Sequence, residues 1–141
     1  FSPSELNAAF LFGQLENFDH LLSERAKQWE TYRSNLAELT PNAFRFIKIP
    51  DYAGQNHHVF AIITTFGDVR EKLSKYLLEN KILAVSHYQC LHKSPYYNIH
   101  YSGSELPNSI AFEENLLRLP LYADLKLEQI TTICDMIKSF F

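Results

Sequence analysis

Cys90 and Cys134 are the only thiols in 141 residues. Two are too few for the disulfide framework of a small secreted domain, and a reducing cytoplasm is the compartment expected. Glycine is also scarce: Gly13, Gly54, Gly67 and Gly103 stand apart, so no glycine-rich loop exists to cradle a phosphate. Apolar runs such as Val59–Ile63 fall far short of the ~20 residues that a membrane-spanning helix needs. Positive charge is not in excess. Thirteen Lys and Arg against sixteen Asp and Glu leave a net charge of −3, and the scattered basic residues lack the footprint of a nucleic-acid binder. The basic-then-apolar layout of a signal peptide is missing as well. The chain opens Phe1-Ser2-Pro3 without a methionine, and from this a longer parent polypeptide is expected.

What is present is the mix of a globular domain, 46% hydrophobic and 21% charged. A chain of this length makes one domain and buries roughly two thirds of its unfolded surface. Ser2, Pro3 and Glu5 read as a helix start, with a cap, a proline in the first turn and a capping-box acid. Leu15, Leu22, Trp29 and Leu36 then recur every seven residues, flanked by Leu11, Phe18, Ala26 and Tyr32. This stripe predicts one helix to about Leu39, bent or packed on more than one partner. Phe44 to Ile49 predicts a short strand, and His58 to Thr65, rich in β-branched and aromatic residues, a buried one. A helix is expected from Asp68 to about Asn80, a second strand at Ile82–Val85, and a tyrosine-rich loop from His87 to Gly103. Pro107 opens a further helix, Leu117–Leu119 reads as an edge strand, and Ile130, Ile133, Cys134 and Ile137 mark one face of a last helix over 127–140. The fold class is α+β: a long entry helix, then a small, largely antiparallel sheet covered by helices.

The densest polar cluster is His87-Tyr88-Gln89-Cys90-Leu91-His92, directly after a predicted strand. His87, Cys90 and His92 are possible zinc ligands, yet their spacing fits no common paired-ligand pattern unless His57 and His58 fold over them. Cys90 beside a histidine could act as a thiol nucleophile, but no orienting acid is near in sequence. The plainest alternative is a strand end with solvated histidines. His57 and His58 precede a strand, so one ring should face the core and the other turn away. Tyr96, Tyr97, His100 and Tyr101 could stack on a flat ligand or staple the loop down.

Several segments together resemble the C-terminal part of the DegT/DnrJ-type sugar-nucleotide aminotransferases, pyridoxal-phosphate enzymes of aminotransferase fold type I. Ser4-Glu5-Leu6-Asn7-Ala8-Ala9 with Gln14-Leu15-Glu16 is similar to the helix after that family's Asn-x-Arg loop. Phe60-Ala61-Ile62, Arg70 and Leu77 resemble its first small-domain strand and helix. Ala84-Val85-Ser86-His87-Tyr88-Gln89-Cys90-Leu91-His92 is similar to its His-Tyr-x-Pro-Leu-His signature, with Cys90 in place of proline. Leu117-Arg118-Leu119-Pro120-Leu121-Tyr122 resembles its Leu-Pro-Leu segment. The loop from Tyr96 to Gly103 departs from the family's glycine-containing pattern.

The resemblance implies that residues 1–141 are a C-terminal small domain, with 1–40 the long interdomain helix and the large cofactor-binding domain lying elsewhere in the parent. It implies transfer of an amino group from glutamate to a nucleotide-linked 4-keto-6-deoxy sugar, with pyridoxal phosphate in the parent and none expected in this chain alone. None of the eight lysines stands in the context of the family's cofactor lysine, so the isolated chain is expected to be inactive, with no catalytic residue of its own. His87, Tyr88 and His92 are the expected substrate-binding residues. The implied partners are the sugar nucleotide, the amino donor, the large domain and a second subunit in a homodimer. The competing reading is a non-catalytic α+β interaction module that uses its long helix for self-association or partner binding.

Overall fold

The computed structural model describes residues 2–141. Its elements are α1 (Glu5–Glu16), α2 (Phe18–Leu36), β1 (Phe44–Phe46), β2 (Phe60–Thr64), α3 (Gly67–Glu79), α4 (Pro107–Asn115), β3 (Leu116–Leu119) and α5 (Leu127–Phe140). The strands form one antiparallel sheet in the order β1-β2-β3, with Phe44 opposite Thr64 and Ile62 opposite Leu117. The α+β expectation holds. No helix among the described residues is long and apolar enough to cross a membrane.

The core forms where α2 and α5 close over the sheet. Trp29, Tyr32 and Leu36 of α2 meet Phe60 and Ile62 of β2, Leu117 of β3 and Ile130, Ile133 and Ile137 of α5. Tyr32 stacks on Phe60 at 4.8 Å between centroids, while Trp29 meets the same ring edge-on at 5.3 Å. Such aromatic pairs add to the burial of large apolar area. The Tyr32 hydroxyl donates to the Pro120 carbonyl at 2.8 Å. Burial pushes its phenol well up, so the group stays a neutral donor and its polar tip is satisfied in the interior. All five residues of β2 are buried. As the central strand it pairs on both edges, and alternation sends Phe60 and Ile62 to the core while Ala61 and Ile63 lie on the other face.

Gln28 on α2 is buried, and its Nε2 donates toward three carbonyls, Leu125 at 2.8 Å, Tyr122 at 3.1 Å and Ala123 at 3.3 Å. This one side chain pins the turn before α5 to α2.

Four local expectations need correction. The single entry helix is two, because the chain leaves helical geometry at Asn17, whose side chain donates to the Gly13 carbonyl at 3.3 Å. Asparagine competes for backbone groups in this way, and Gly13 weakens the turn before it. The cap is Ser4, which accepts from the Asn7 amide, rather than Ser2. The strand expected over Ile82–Val85 shrinks to one bridge at Val85. Lys81 adopts a left-handed φ of 63°, and the Ile82 amide returns to the Leu77 carbonyl at 2.8 Å, so the chain is still closing α3 where pairing was expected. The first strand stops at Phe46, short of Ile49-Pro50; proline lacks the donor that a ladder uses.

The apolar stripe of the entry region is only half covered. Trp29, Tyr32 and Leu36 are buried, whereas Leu11 is 55% and Leu15 57% exposed, and α1 buries no residue.

Candidate functional site

The segment after α3 hangs from the outer edge of β3. Val85 and Arg118 exchange both backbone hydrogen bonds, at 3.0 and 2.8 Å, and Ser74 of α3 donates its hydroxyl to the Ala84 carbonyl at 3.1 Å. This double attachment sets the start of the polar cluster. Past Ser86 the chain turns through a cis His87–Tyr88 peptide, and the two rings stack at 4.7 Å with 30° between their planes. Arg118 reaches out of β3 to place its Nη1 3.0 Å from Nδ1 of His87.

Beyond Tyr88 the chain is tied to α4. The Cys90 amide donates to Oε2 of Glu113 at 3.2 Å. Burial pushes the Cys90 thiol up, and its hydrogen bond with Glu113 adds to the shift. The same bond holds the Glu113 carboxyl below the usual range against the effect of burial. A raised thiol is a poor nucleophile, so Cys90 acts as a small buried anchor.

Between this segment and α4 opens a cleft of about 420 Å³ lined by His87, Tyr88, Leu91, Asn108, Phe112 and Glu113. An adjoining recess of about 240 Å³ shares His87, Tyr88 and Glu113 and adds Arg70, Ser86 and Gln89. Arg70 is held by donation from Nε to the Glu114 carbonyl at 2.7 Å and by an ion pair with Glu71 at 3.3 Å. The walls thus offer a guanidinium, an imidazole, a phenol, two amides and the Glu113 carboxylate, a set suited to polar ligands rich in hydrogen-bonding groups.

His87 and Tyr88 therefore stand together on this cleft. His92 does not line it. Its ring lies 5.4 Å from that of Tyr101, and its Nε2 is buried without a hydrogen-bond partner. Tyr96 is exposed with its ring 5.2 Å from that of His100, and the Tyr101 hydroxyl donates to the Ser104 carbonyl at 2.7 Å. Tyr101 staples the loop locally. His57 packs edge-on to Trp29 at 5.7 Å, while exposed His58 hydrogen-bonds Asn56, the inward and outward pair expected. Among the described residues no three His, Cys, Asp or Glu side chains come together as a metal site.

Sequence reasoning did not assign Arg118, Glu113, Arg70, Asn108 or Phe112 to the site. The available signal was Arg118, a charge between Leu117 and Leu119 in an otherwise apolar strand. The others depend on α3 and α4 being brought beside the cluster, which no local pattern reveals.

A small antiparallel sheet under helices, with a histidine-tyrosine segment slung from its edge, is an α+β fold that solved aminotransferase structures share in part. The chain belongs to the DegT/DnrJ/EryC1/StrS aminotransferase family, whose sequence profile matches residues 3–138. It is 27% identical over 139 residues to a pleiotropic regulatory protein of Geobacillus stearothermophilus, covering 97% of this chain and 37% of that protein. In structure it is similar to Helicobacter pylori PseC, an aminotransferase involved in the biosynthesis of pseudoaminic acid. That likeness has a TM-score of 0.87 at 21% identity and covers 100% of this chain and 38% of the other. It is also similar to the PLP form of the sugar aminotransferase Spr1654 of Streptococcus pneumoniae, with a TM-score of 0.80 at 22% identity over 92% and 33% of the two chains. The chain spans little more than a third of the length of these relatives.

The family's cofactor is pyridoxal phosphate, known in PLP and PMP forms of Spr1654. All eight lysines are exposed or half-buried, those at 27, 72 and 138 are paired with Glu24, Asp68 and Glu38, and none lines the cleft at His87.

Proposed function

We propose that residues 1–141 form the C-terminal small domain of a pyridoxal-phosphate aminotransferase, with 1–40 leading from a large cofactor-binding domain of the same polypeptide. The reaction assigned to the whole protein is transfer of an amino group from glutamate to a nucleotide-linked 4-keto-6-deoxy sugar in the cytoplasm. The Ala-Val-x-His-Tyr and Leu-Leu-Arg-Leu-Pro-Leu stretches resemble those of a dTDP-4-amino-4,6-dideoxygalactose transaminase, and lipopolysaccharide biosynthesis is the pathway that this substrate suggests. The observation that carries the reading is the cleft at His87 and Tyr88, in a chain of this family.

In this chain the chemistry is binding and orientation. His87 and Tyr88 offer hydrogen bonds from adjacent positions, Asn108 adds an amide, and Arg70 in the neighbouring recess adds a fixed positive charge. Phosphate oxygens and sugar hydroxyls are the groups such a set receives best. Leu91 and Phe112 supply an apolar wall that excludes water from one side. The part assigned to His92 is indirect, since it stands off the cleft beside Tyr101. No proton transfer is assigned to any of these residues.

The uncovered face of α1 favours a covering partner. On this reading the partner is the large domain or the second subunit of a homodimer. A free-standing interaction module would use the same face, but would have no need of the His87 cleft.

The test is a pair of half-reactions in the intact polypeptide, followed by cofactor absorbance. His87→Ala is expected to slow the sugar-nucleotide half-reaction more than the glutamate half-reaction. Equal loss in both would argue against the assignment.

A further inference from the structure

The contact between Arg118 and His87 carries more than attachment. A guanidinium has five donors and no acceptor, and it keeps its charge in proteins. With Nη1 of Arg118 3.0 Å from Nδ1 of His87, Nδ1 is the accepting nitrogen, and the proton of the neutral ring resides on Nε2. The contact is set by backbone on both sides. Arg118 lies in β3, paired with Ala61 and bridged to Val85, two residues before His87. Tyr88 stacks on the imidazole and restricts its rotation.

The charge around the ring points the same way. Arg118 touches it, and Arg70 lines the recess that His87 shares. The one carboxylate on that recess, Glu113, is engaged by the Cys90 amide.

We propose that Arg118 is a positioning residue that locks His87 as the Nε2–H tautomer, so that this part of the cleft presents a donor to an anionic oxygen, the diphosphate of a nucleotide-linked ligand. The tautomer lock rests on geometry alone; the ligand class rests on the reading under Proposed function.

The experiment uses the 141-residue chain labelled with nitrogen-15, reading the His87 ring nitrogens through their long-range couplings to ring protons at neutral pH. In the unmodified chain the Nδ1 resonance is expected in the unprotonated range and Nε2 in the protonated range. Arg118→Gln should move both resonances toward the average of exchanging tautomers, and Arg118→Lys, which restores a cationic donor, should return them. A proton on Nδ1 in the unmodified chain, or ring resonances indifferent to Arg118→Gln in a folded variant, overturns the lock. Should Arg118→Gln not fold, the unmodified chain and Arg118→Lys still decide it. Inorganic pyrophosphate is then titrated against methylammonium at matched ionic strength. Pyrophosphate alone should shift the Nε2 signal. With the lock intact, no response to pyrophosphate, or an equal response to methylammonium, overturns the ligand class and leaves the tautomer assignment standing.

Discussion

The backbone amide of Cys90 donates to the carboxylate of Glu113 at 3.2 Å, and this bond ties the segment that carries His87 and Tyr88 to helix α4. Without it the cleft would have one fixed wall, since α4 supplies Asn108, Phe112 and Glu113. Glu113→Ala is expected to free the segment while leaving the sheet in place. Cys90 should then react severalfold faster with an aromatic disulfide, because both causes that raise its thiol, burial and the neighbouring carboxylate, are relieved together. An unchanged labelling rate would mean that the carboxylate does not hold the segment.

The contact between Glu113 and Cys90 makes the tether acid-sensitive. Glu113 is held below its ordinary value of 4.5, chiefly by its hydrogen bond with the Cys90 thiol, to which the Cys90 amide adds. A depressed carboxyl stabilises the fold above its unfolded value and loses that contribution as the pH falls through the folded one. Cys90 labelling in the unmodified chain, normalised to a free-thiol standard, should therefore accelerate on acidification below about pH 4. Glu113→Gln should remove that acceleration. An acid response that persists in Glu113→Gln would place its origin elsewhere.

Gln28 is the buried polar side chain with the most to lose. Gln28→Leu keeps much of the bulk but strips a donor from three inward carbonyls. Leaving such groups unsatisfied costs on the order of 1–3 kcal/mol. The urea midpoint should fall accordingly, with α2 and α5 losing protection from hydrogen exchange together. A midpoint within error of the unmodified chain would show that water replaces the amide without cost.

Adjacent leucines on α3 offer a calibrated contrast. Leu77 is fully buried and Leu78 is 60% exposed. Leu77→Ala is expected to destabilise by roughly 2–5 kcal/mol, the range for a core leucine. Leu78→Ala should stay within about 0.5 kcal/mol, as surface changes do. Thermal or urea unfolding measures both, and equal losses would contradict the facing of this helix.

Helix α1 is twelve residues long and buries none of them. An isolated helix of that length is marginal in water, so in the 141-residue chain its amides should exchange with solvent orders of magnitude faster than those around Tyr32 and Leu36. Comparable protection in the two helices would mean that α1 is already covered, as by self-association, which sedimentation at varied concentration would reveal.

Much of this architecture is legible in the chain, because it follows from local periodicity. The last helix begins at Leu127 and ends at Phe140 as its apolar spacing predicts, and β2 lies within the β-branched run before Gly67. The break at Asn17 was harder to read. The heptad stripe continues through it, and the break lies in the Asn17 backbone, whose amide turns to the Gln14 carbonyl while its side chain donates to Gly13. Likewise Ile82–Val85 has the composition of a strand, yet the closure of α3 through Lys81 leaves only Val85 free to pair.

Hydrophobic period, caps and short motifs act over a few residues, and they are enough to give the class of fold, the core stripe of α2 and α5, and the adjacency of His87 and Tyr88. Which groups meet that pair is a matter of long-range packing. Arg118 lies thirty-one positions from His87 and Glu113 twenty-three from Cys90. They are brought together by the Val85–Arg118 bridge on the outer edge of β3 and by α4 leading into that strand. Hydrogen bonds of this kind depend on angstrom-scale approach between distant segments, which backbone pairing and core packing create and which no local pattern encodes. The same holds for His92, a neighbour of His87 in the chain that the turn after Cys90 directs away from the cleft.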